Sequence, residues 1–194
     1  MSIDAVAFKK GMRHLAASVT LITSRHSALR CGLTATAVCS VSAEPPQILA
    51  CVNKTASAHD PIGEAGVFCV NILAPEPRKL AERFAGMDGV EGDDRFCDMG
   101  EWSILSTGSP VLKGCPVSFD CQLVTKVSAG THTIYIGEIV DLVLDEHDFE
   151  LGVLLQPVAV ASGQLRIAGV IQVDCKRDVL VRVEAQRTGS MRKI

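Results

Sequence analysis

The apolar residues of this chain fall into short runs, and only two of the gaps between runs carry a helical pattern. The runs are Val19 to Thr23, Cys31 to Val41, Gln47 to Val52, Val67 to Leu73, Val117 to Thr125, Thr133 to Leu144 and Val158 to Ala161. Each is rich in Val, Ile, Thr and Cys and short enough to be a strand. Parallel strands need a crossover of a dozen or more residues between each pair, usually a helix. Two helices cannot serve so many strands, so a parallel βαβ series is disfavoured. The pattern predicts a mainly β domain, a barrel decorated by peripheral helices.

Turn chemistry places the connections. Arg25 to Arg30 reads as a hairpin link, and Ser42-Ala43-Glu44-Pro45-Pro46 as a rigid loop, because two prolines remove two backbone donors. Ser57 is positioned to cap a short helix with Asp60 and Pro61 in its first turn, and Gly66 to end it. Pro77 to Phe84 reads as a second helix. The opening segment, with Ile3, Val6, Phe8, Met12 and Leu15 near helical spacing, reads as a surface helix laid on the domain. Gly86 to Gly100 is rich in Gly and Asp and aperiodic, so it is a long loop of the kind that tends to be functional or mobile. Residues 170–194 differ in composition, with Lys176, Arg177, Arg182, Arg187, Arg192 and Lys193 against Asp174, Asp178 and Glu184. They suit a strand and helix, a dimer arm or a disordered tail.

At 194 residues the chain supports one buried core, expected over 1–169. A net charge of −3 and the lack of a basic stripe before residue 165 exclude a nucleic-acid backbone as partner. No stretch is apolar enough to span a membrane and no secretory signal opens the chain, so a soluble cytoplasmic protein is expected. The eight cysteines form no C-x-x-C pair and no zinc-finger spacing. Several, such as Cys39, Cys51 and Cys69, sit inside apolar runs, where a reduced thiol behaves as a small core residue.

No G-x-G-x-x-G, Walker loop, G-x-S-x-G or H-E-x-x-H is present, so a bound nucleotide would need another kind of surface. The candidate is Gly32-Leu33-Thr34-Ala35-Thr36-Ala37-Val38-Cys39-Ser40-Val41-Ser42. A ligand approaches backbone closely only where side chains are small, and Thr and Ser hydroxyls add hydrogen-bonding groups. The same run equally suits a strand against which a helix packs. Its neighbours include Pro45-Pro46, Cys51-Val52-Asn53-Lys54, Ser57, Phe68 to Leu73, Leu80 to Ala85, Gly108 to Leu112, Cys121 and Gly130 to Ile139.

This ordered set resembles the flavin reductases of the split-barrel type, the reductase partners of two-component flavin-dependent monooxygenases, over about residues 8–169. The resemblance implies a homodimeric split β-barrel of Greek-key-like, FMN-binding type. Such a protein binds FMN or FAD, takes hydride from NADH or NADPH and passes reduced flavin to a monooxygenase. It also implies site roles. Thr34, Ala35, Thr36 and Ala37 would face the isoalloxazine, with Ser40 and Ser42 near the ribityl-phosphate chain. Cys51, Val52, Asn53 and Lys54 would form the next strand edge, Ser57 would cap towards phosphate, and Phe84 would be an aromatic wall. His132 matches the family's histidine near the nicotinamide nucleotide, although Gly130-Thr131 stands where the family has Gly-Asp. Arg166 is a further nucleotide contact or a salt-bridge residue.

Hydride moves between cofactors, which carry the difficult chemistry, so no catalytic triad is required. His59 and Asp60 suggest a base and its orienter, but at the head of a helix capping is the plainer reading. Tyr135 and Trp102 suit packing as well as ring stacking. The rival functions are a flavin-binding electron carrier or sensor without turnover, and a same-fold reductase of another acceptor such as a corrinoid or a metal complex.

Overall fold

A computed structural model describes residues 3–74 and 77–145, with strand segments at 153–154, 170–172 and 182–183. The chain divides into two compact units, Val19–Phe149 and Met1–Ser18 with Glu150–Ile194. In the smaller unit, α1 (Ala5–Met12) starts at Asp4, whose carboxylate accepts from Val6 N and Ala7 N. That N-cap satisfies two of the free N–H groups of the first turn. The segments β10 (Val153–Leu154), β11 (Val170–Gln172) and β12 (Arg182–Val183) form an antiparallel sheet there. The predicted strand Val158 to Ala161, the boundary at residue 169 and Arg166 lie outside the described residues.

The larger unit is built on β1 (Thr20–His26), β2 (Leu29–Ala35), β3 (Val38–Ala43), β4 (Pro46–Asn53), β5 (Val67–Ile72), β8 (Val117–Ala129) and β9 (His132–Leu144). All pairs are antiparallel, in the order β2-β1-β5-β8-β9-β4-β3. A small hairpin, β6 (Trp102–Ile104) with β7 (Pro110–Leu112), precedes β8. The predicted strand Cys31 to Val41 is instead two strands, broken at Thr36-Ala37. The break has a topological consequence. The outer strands β2 and β3 are consecutive in the chain and only two residues apart, so the sheet must curl until its two edges meet at that corner.

Curling buries β1 on both faces. Ile22 joins a core of Ala35, Ile48, Ala50, Val52, Phe68, Val70 and Tyr135, while Leu21 points into a second core with Leu80, Phe84, Phe96 and Leu112. A strand covered on both sides has no solvent-facing alternation, and its buried hydroxyls are satisfied, with Thr20 donating to Ala35 O, Thr23 to Pro110 O and Ser24 to Val67 O. Asn71, fully buried, ties the second core together. It donates to Leu21 O and Thr23 Oγ1 and accepts from Leu112 N and Ser118 Oγ. Trp102 is packing: its ring meets Phe84 and Phe96, and its Nε1 donates to Met99 O.

Helix α2 (His59–Ala65) ends at Gly66, in the left-handed region with φ 68°, as the sequence predicts. Ser57 does not cap it. Ala58 holds the N-cap position without a side-chain hydrogen bond. The entry turn serves instead, with Ala56 N donating to Asn53 O and His59 N to Ala56 O. Helix α3 (Arg78–Phe84) lies where predicted, and the long loop contains a 3₁₀ turn, Gly92–Phe96. The cysteines are reduced among the described residues, but Cys39 is exposed rather than core, because it lies on the outer strand β3, where Cys39, Ser40 and Val41 are all exposed. No helix among the described residues is long and apolar enough to cross a membrane.

Candidate functional site: the corner where the sheet edges meet

The small-residue run has two parts with different surroundings. Gly32 is buried against Phe84, Thr34 Oγ1 donates to Ala81 O at 2.6 Å, and Ala35 is 9% exposed in the first core. Thr20 Oγ1 donates to Ala35 O at 2.8 Å, so this stretch is committed to packing helix α3 against β2. Thr36 and Ala37 are exposed, at the corner between the two edge strands. Cys51 N donates to Ala37 O at 2.9 Å and fixes that corner to β4. The side of β2 away from β1 has no ladder partner among the described residues. Thr36 and Ala37 are therefore open at the surface, whereas Thr34 and Ala35 are engaged in packing, and Asp93 and Arg95 take up Arg30 N and Gly32 O on the outer edge of β2.

Ser40 is exposed on β3, and Ser42, past a register shift, accepts from Glu44 N at 3.2 Å. On β4, Val52 is buried and Cys51 half-buried, with burial pushing the Cys51 thiol up. Asn53 pairs directly with His132 across β4 and β9, so the sheet brings together residues 79 apart in sequence. Asn53 Oδ1 accepts from Thr55 N and Thr55 Oγ1, forming a tight turn. Lys54 folds over the β8–β9 hairpin tip. Its Nζ donates to Ser128 Oγ at 2.8 Å and Gly130 O at 2.7 Å, while its N donates to Thr131 O. Its charge is directed at the hairpin. His132 Nδ1 lies 2.9 Å from Thr131 Oγ1. Phe84 is 1% exposed, edge-on to Phe96, so it supports Gly32 from behind and offers no open ring face.

Two hollows flank this region. One, about 390 Å³, lies against α2 and is lined by His59, Asp60, Lys126, Ser128, Thr133 and Tyr135 among others. His59 bridges Asp60 at 2.7 Å and Thr133 Oγ1 at 2.8 Å, and Tyr135 Oη donates to His59 O at 2.9 Å. His59 thus anchors α2 to β9, a role beyond the capping expected of it. The other hollow, about 200 Å³, runs beside β2 and includes Arg30, Gly32, Ser57, Asp93 and Arg95. Arg30 grips Asp93 through Nε and Nη2, and that guanidinium pulls the Asp93 carboxyl down to about 2. Neither Arg30 nor Arg95 was singled out by sequence reading, because the loop bearing Asp93 and Arg95 has no periodicity that would assign its side chains a face.

The profile of the family described as "Flavin reductase like domain" matches residues 12–165. This chain belongs to that family. The FMN reductase (NADH) RutF of Pseudomonas syringae pv. syringae is 40% identical over 141 residues, 73% of this chain and 78% of the relative. Among solved structures, flavin reductase PheA2 superposes with a TM-score of 0.68 at 32% identity, covering 76% of this chain and 92% of that one. BorF, the flavin reductase component of a bacterial two-component tryptophan halogenase, gives 0.68 at 28% identity, covering 74% and 89%. As a flavin reductase, the chain needs a surface that takes a flat ring and a phosphate-bearing tail. The open corner of small residues beside a groove lined by Arg30, Arg95 and the exposed Ser57 fits both parts.

Proposed function

We propose that this chain is an NADH-dependent flavin reductase, with FMN as its preferred flavin, that supplies reduced flavin to a separate oxygenase component. One structural observation supports the reading above the rest. The sheet's two edges meet at exposed Thr36-Ala37, beside the paired Asn53 and His132, so one surface offers free backbone for a flavin and a histidine for a second nucleotide. The FMN and NADH preferences follow the relatives named as FMN reductase (NADH), and the oxygenase partner follows the two-component neighbours. A bound flavin supplies the hydride acceptor. The chain's own residues bind and align two flat rings and exclude water, which needs shape and backbone hydrogen bonds rather than a strong acid or base.

The curled sheet is read as the split β-barrel, Greek-key-like and of FMN-binding type. Thr36, Ala37 and the β2 edge take the ring, Ser40, Ser42, Cys51 and Asn53 border it, and His132 meets the nicotinamide nucleotide. The protein is read as a cytoplasmic homodimer. Val124, Val127, Val140, Leu142 and Leu144, 49–63% exposed on β8 and β9, provide an apolar face for a second copy. Light scattering during gel filtration tests the dimer.

The deciding assay mixes the purified protein with NADH or NADPH and excess FMN or FAD and follows loss of nicotinamide absorbance. Turnover fastest with NADH and FMN is expected. Failure with all four pairs would overturn the reductase reading in favour of a flavin carrier or sensor. A colourless preparation that turns over identifies flavin as a substrate, and a yellow one as a bound group.

A further inference from the structure

Thr133, His59 and Asp60 lie in a hydrogen-bonded line beside the hollow of about 390 Å³, and all three border it. Asp60 Oδ1 is 2.7 Å from His59 Nδ1, and Thr133 Oγ1 is 2.8 Å from His59 Nε2. An ionised carboxylate only accepts hydrogen bonds, so Asp60 holds the ring in the tautomer that carries its proton on Nδ1. Nε2 is then the acceptor, and the Thr133 hydroxyl donates to it. This is the order of nucleophile, base and orienting group by which a weakly nucleophilic hydroxyl is activated. Hydride transfer between nicotinamide and flavin uses none of the three.

The surroundings hold that line in place and leave room beside it. The His59 side chain is 15% exposed, and Tyr135 Oη donates to its carbonyl at 2.9 Å. Gly63 keeps the α2 side of the hollow low, since a Cβ there would lie 3.1 Å from Tyr135 Oη and 3.6 Å from Lys126 Nζ. Glycine inside a helix costs about 0.5–1 kcal/mol relative to alanine, and here that cost holds the hollow open. Lys126 pairs with Tyr135 across β8 and β9, and Ser128 with Thr133, so Lys126 is the diagonal neighbour of Thr133. Such neighbours are about 7–8 Å apart, within reach of a lysine side chain. Lys126 enters no ion pair among the described residues, which leaves its ammonium available to charge that develops beside Thr133.

We propose that this hollow is a second active site, a slow esterase centre for small carboxylic esters. Thr133 is its nucleophile, His59 its general base and Asp60 the group that orients the base. Thr133 Oγ1 attacks the ester carbonyl carbon while its proton passes to His59 Nε2, and Lys126 faces the tetrahedral oxyanion. Collapse breaks the bond to the alcohol oxygen, and His59 returns the proton to the departing alcohol. Water, deprotonated by His59, then attacks the acyl-threonine, releasing the carboxylic acid and restoring the hydroxyl. Ester and water become alcohol and acid, and nothing is oxidised or reduced. Small-molecule sites run to about 300–1,000 Å³, so a hollow of about 390 Å³ suits short acyl groups. The centre is slow because Asp60 is 81% exposed and water competes for its carboxylate.

p-Nitrophenyl acetate, offered to the full chain without nicotinamide or flavin, tests the assignment through release of p-nitrophenol. The protein should hydrolyse it faster than buffer and, when quenched during turnover, carry acetyl on Thr133 in peptide mass mapping. Thr133→Val keeps the side-chain shape and removes the hydroxyl, so hydrolysis should fall by about tenfold or more. Thr133→Ser keeps the hydroxyl on a less crowded carbon and should hydrolyse at least as fast as wild type. Turnover of NADH with FMN, measured on the same samples, should persist in both variants and reports that they are folded. Unchanged hydrolysis in Thr133→Val overturns the assignment, as does hydrolysis no faster than buffer. Acetyl on lysine or histidine but not on Thr133 also overturns it. That label is read on the native protein, so it decides even where a variant fails to fold. None of these outcomes touches the reductase reading, which stands on its own assay.

Discussion

Gly32 on β2 and Phe84 on α3 are packed so closely that a Cβ on the glycine would lie 2.8 Å from Phe84 Cε1 and 3.0 Å from Ile22 O. The ring could turn slightly, but the carbonyl belongs to the β1 ladder and cannot. Gly32→Ala should therefore destabilise the fold by about 1–3 kcal/mol, the range for overpacking a filled core. Denaturant unfolding should show a lower midpoint with an unchanged slope. Combining it with Phe84→Leu should recover part of the loss, giving a coupling energy between the two sites. An unmoved midpoint in the single variant would mean that the contact is relieved elsewhere.

The Arg30–Asp93 pair should leave a pH signature. Asp93 is held down to about 2, first by its hydrogen bond from the Arg30 side chain. A carboxyl lowered on folding contributes stability above its unfolded value, near about 4, and loses it as pH falls towards the folded value. Wild type should thus exceed Asp93→Asn by a constant margin above about pH 4, and the margin should shrink towards pH 2. The Asp93 side chain is 37% exposed, so solvent screening holds the margin to about 1 kcal/mol or less. Parallel stability curves across that window would contradict the assignment.

His132 and Lys54 should affect one substrate more than the other. His132→Ala is expected to raise the Michaelis constant for the nicotinamide nucleotide by about fivefold, the worth of one hydrogen bond, with less effect on flavin. Lys54→Met frees the hairpin tip that Lys54 clamps through Ser128 and Gly130, so it should act in the same direction through His132. Steady-state kinetics with each substrate varied in turn decides the matter. Equal effects on both constants would count against a nicotinamide role for His132.

Thiol reactivity should sort by environment. Cys115 and Cys121 are buried, and desolvation pushes each up to about 12, so they are thiols rather than thiolates at neutral pH. Cys39 and Cys97 are exposed. Brief alkylation of the native protein followed by peptide mass mapping should find label on Cys39 and Cys97 and none on Cys69, Cys115 or Cys121. Rapid label on Cys121 would show that β8 opens far more readily than its packing implies.

Strand content, helix positions and the Gly66 stop were legible because each depends on local chemistry: β-branched runs, a proline near a first turn, a glycine that accepts positive φ. The run Gly32–Ala37 was legible as unusual but not as divided. Gly32 and Thr34 are small because α3 lies on them, and only Thr36 and Ala37 remain open. The packing reading of that run applies to its first half only. Its pattern could not say which, since the partner that covers one half is contributed by residues 80–84. Ser57 looked like a cap because the spacing suited one, yet the entry turn satisfies those groups from its own backbone.

Local propensity thus settled the kind of elements and roughly where they start and stop. The curl that joins β2 to β3, the pairing of Asn53 with His132 and the division of charge between Arg30 and Arg95 came from long-range register. These contacts join residues dozens of positions apart, and no short window of sequence carries their energy. A side chain's chemistry is written in its own residue type. Whether it packs, clamps or meets a ligand depends on which distant backbone arrives beside it.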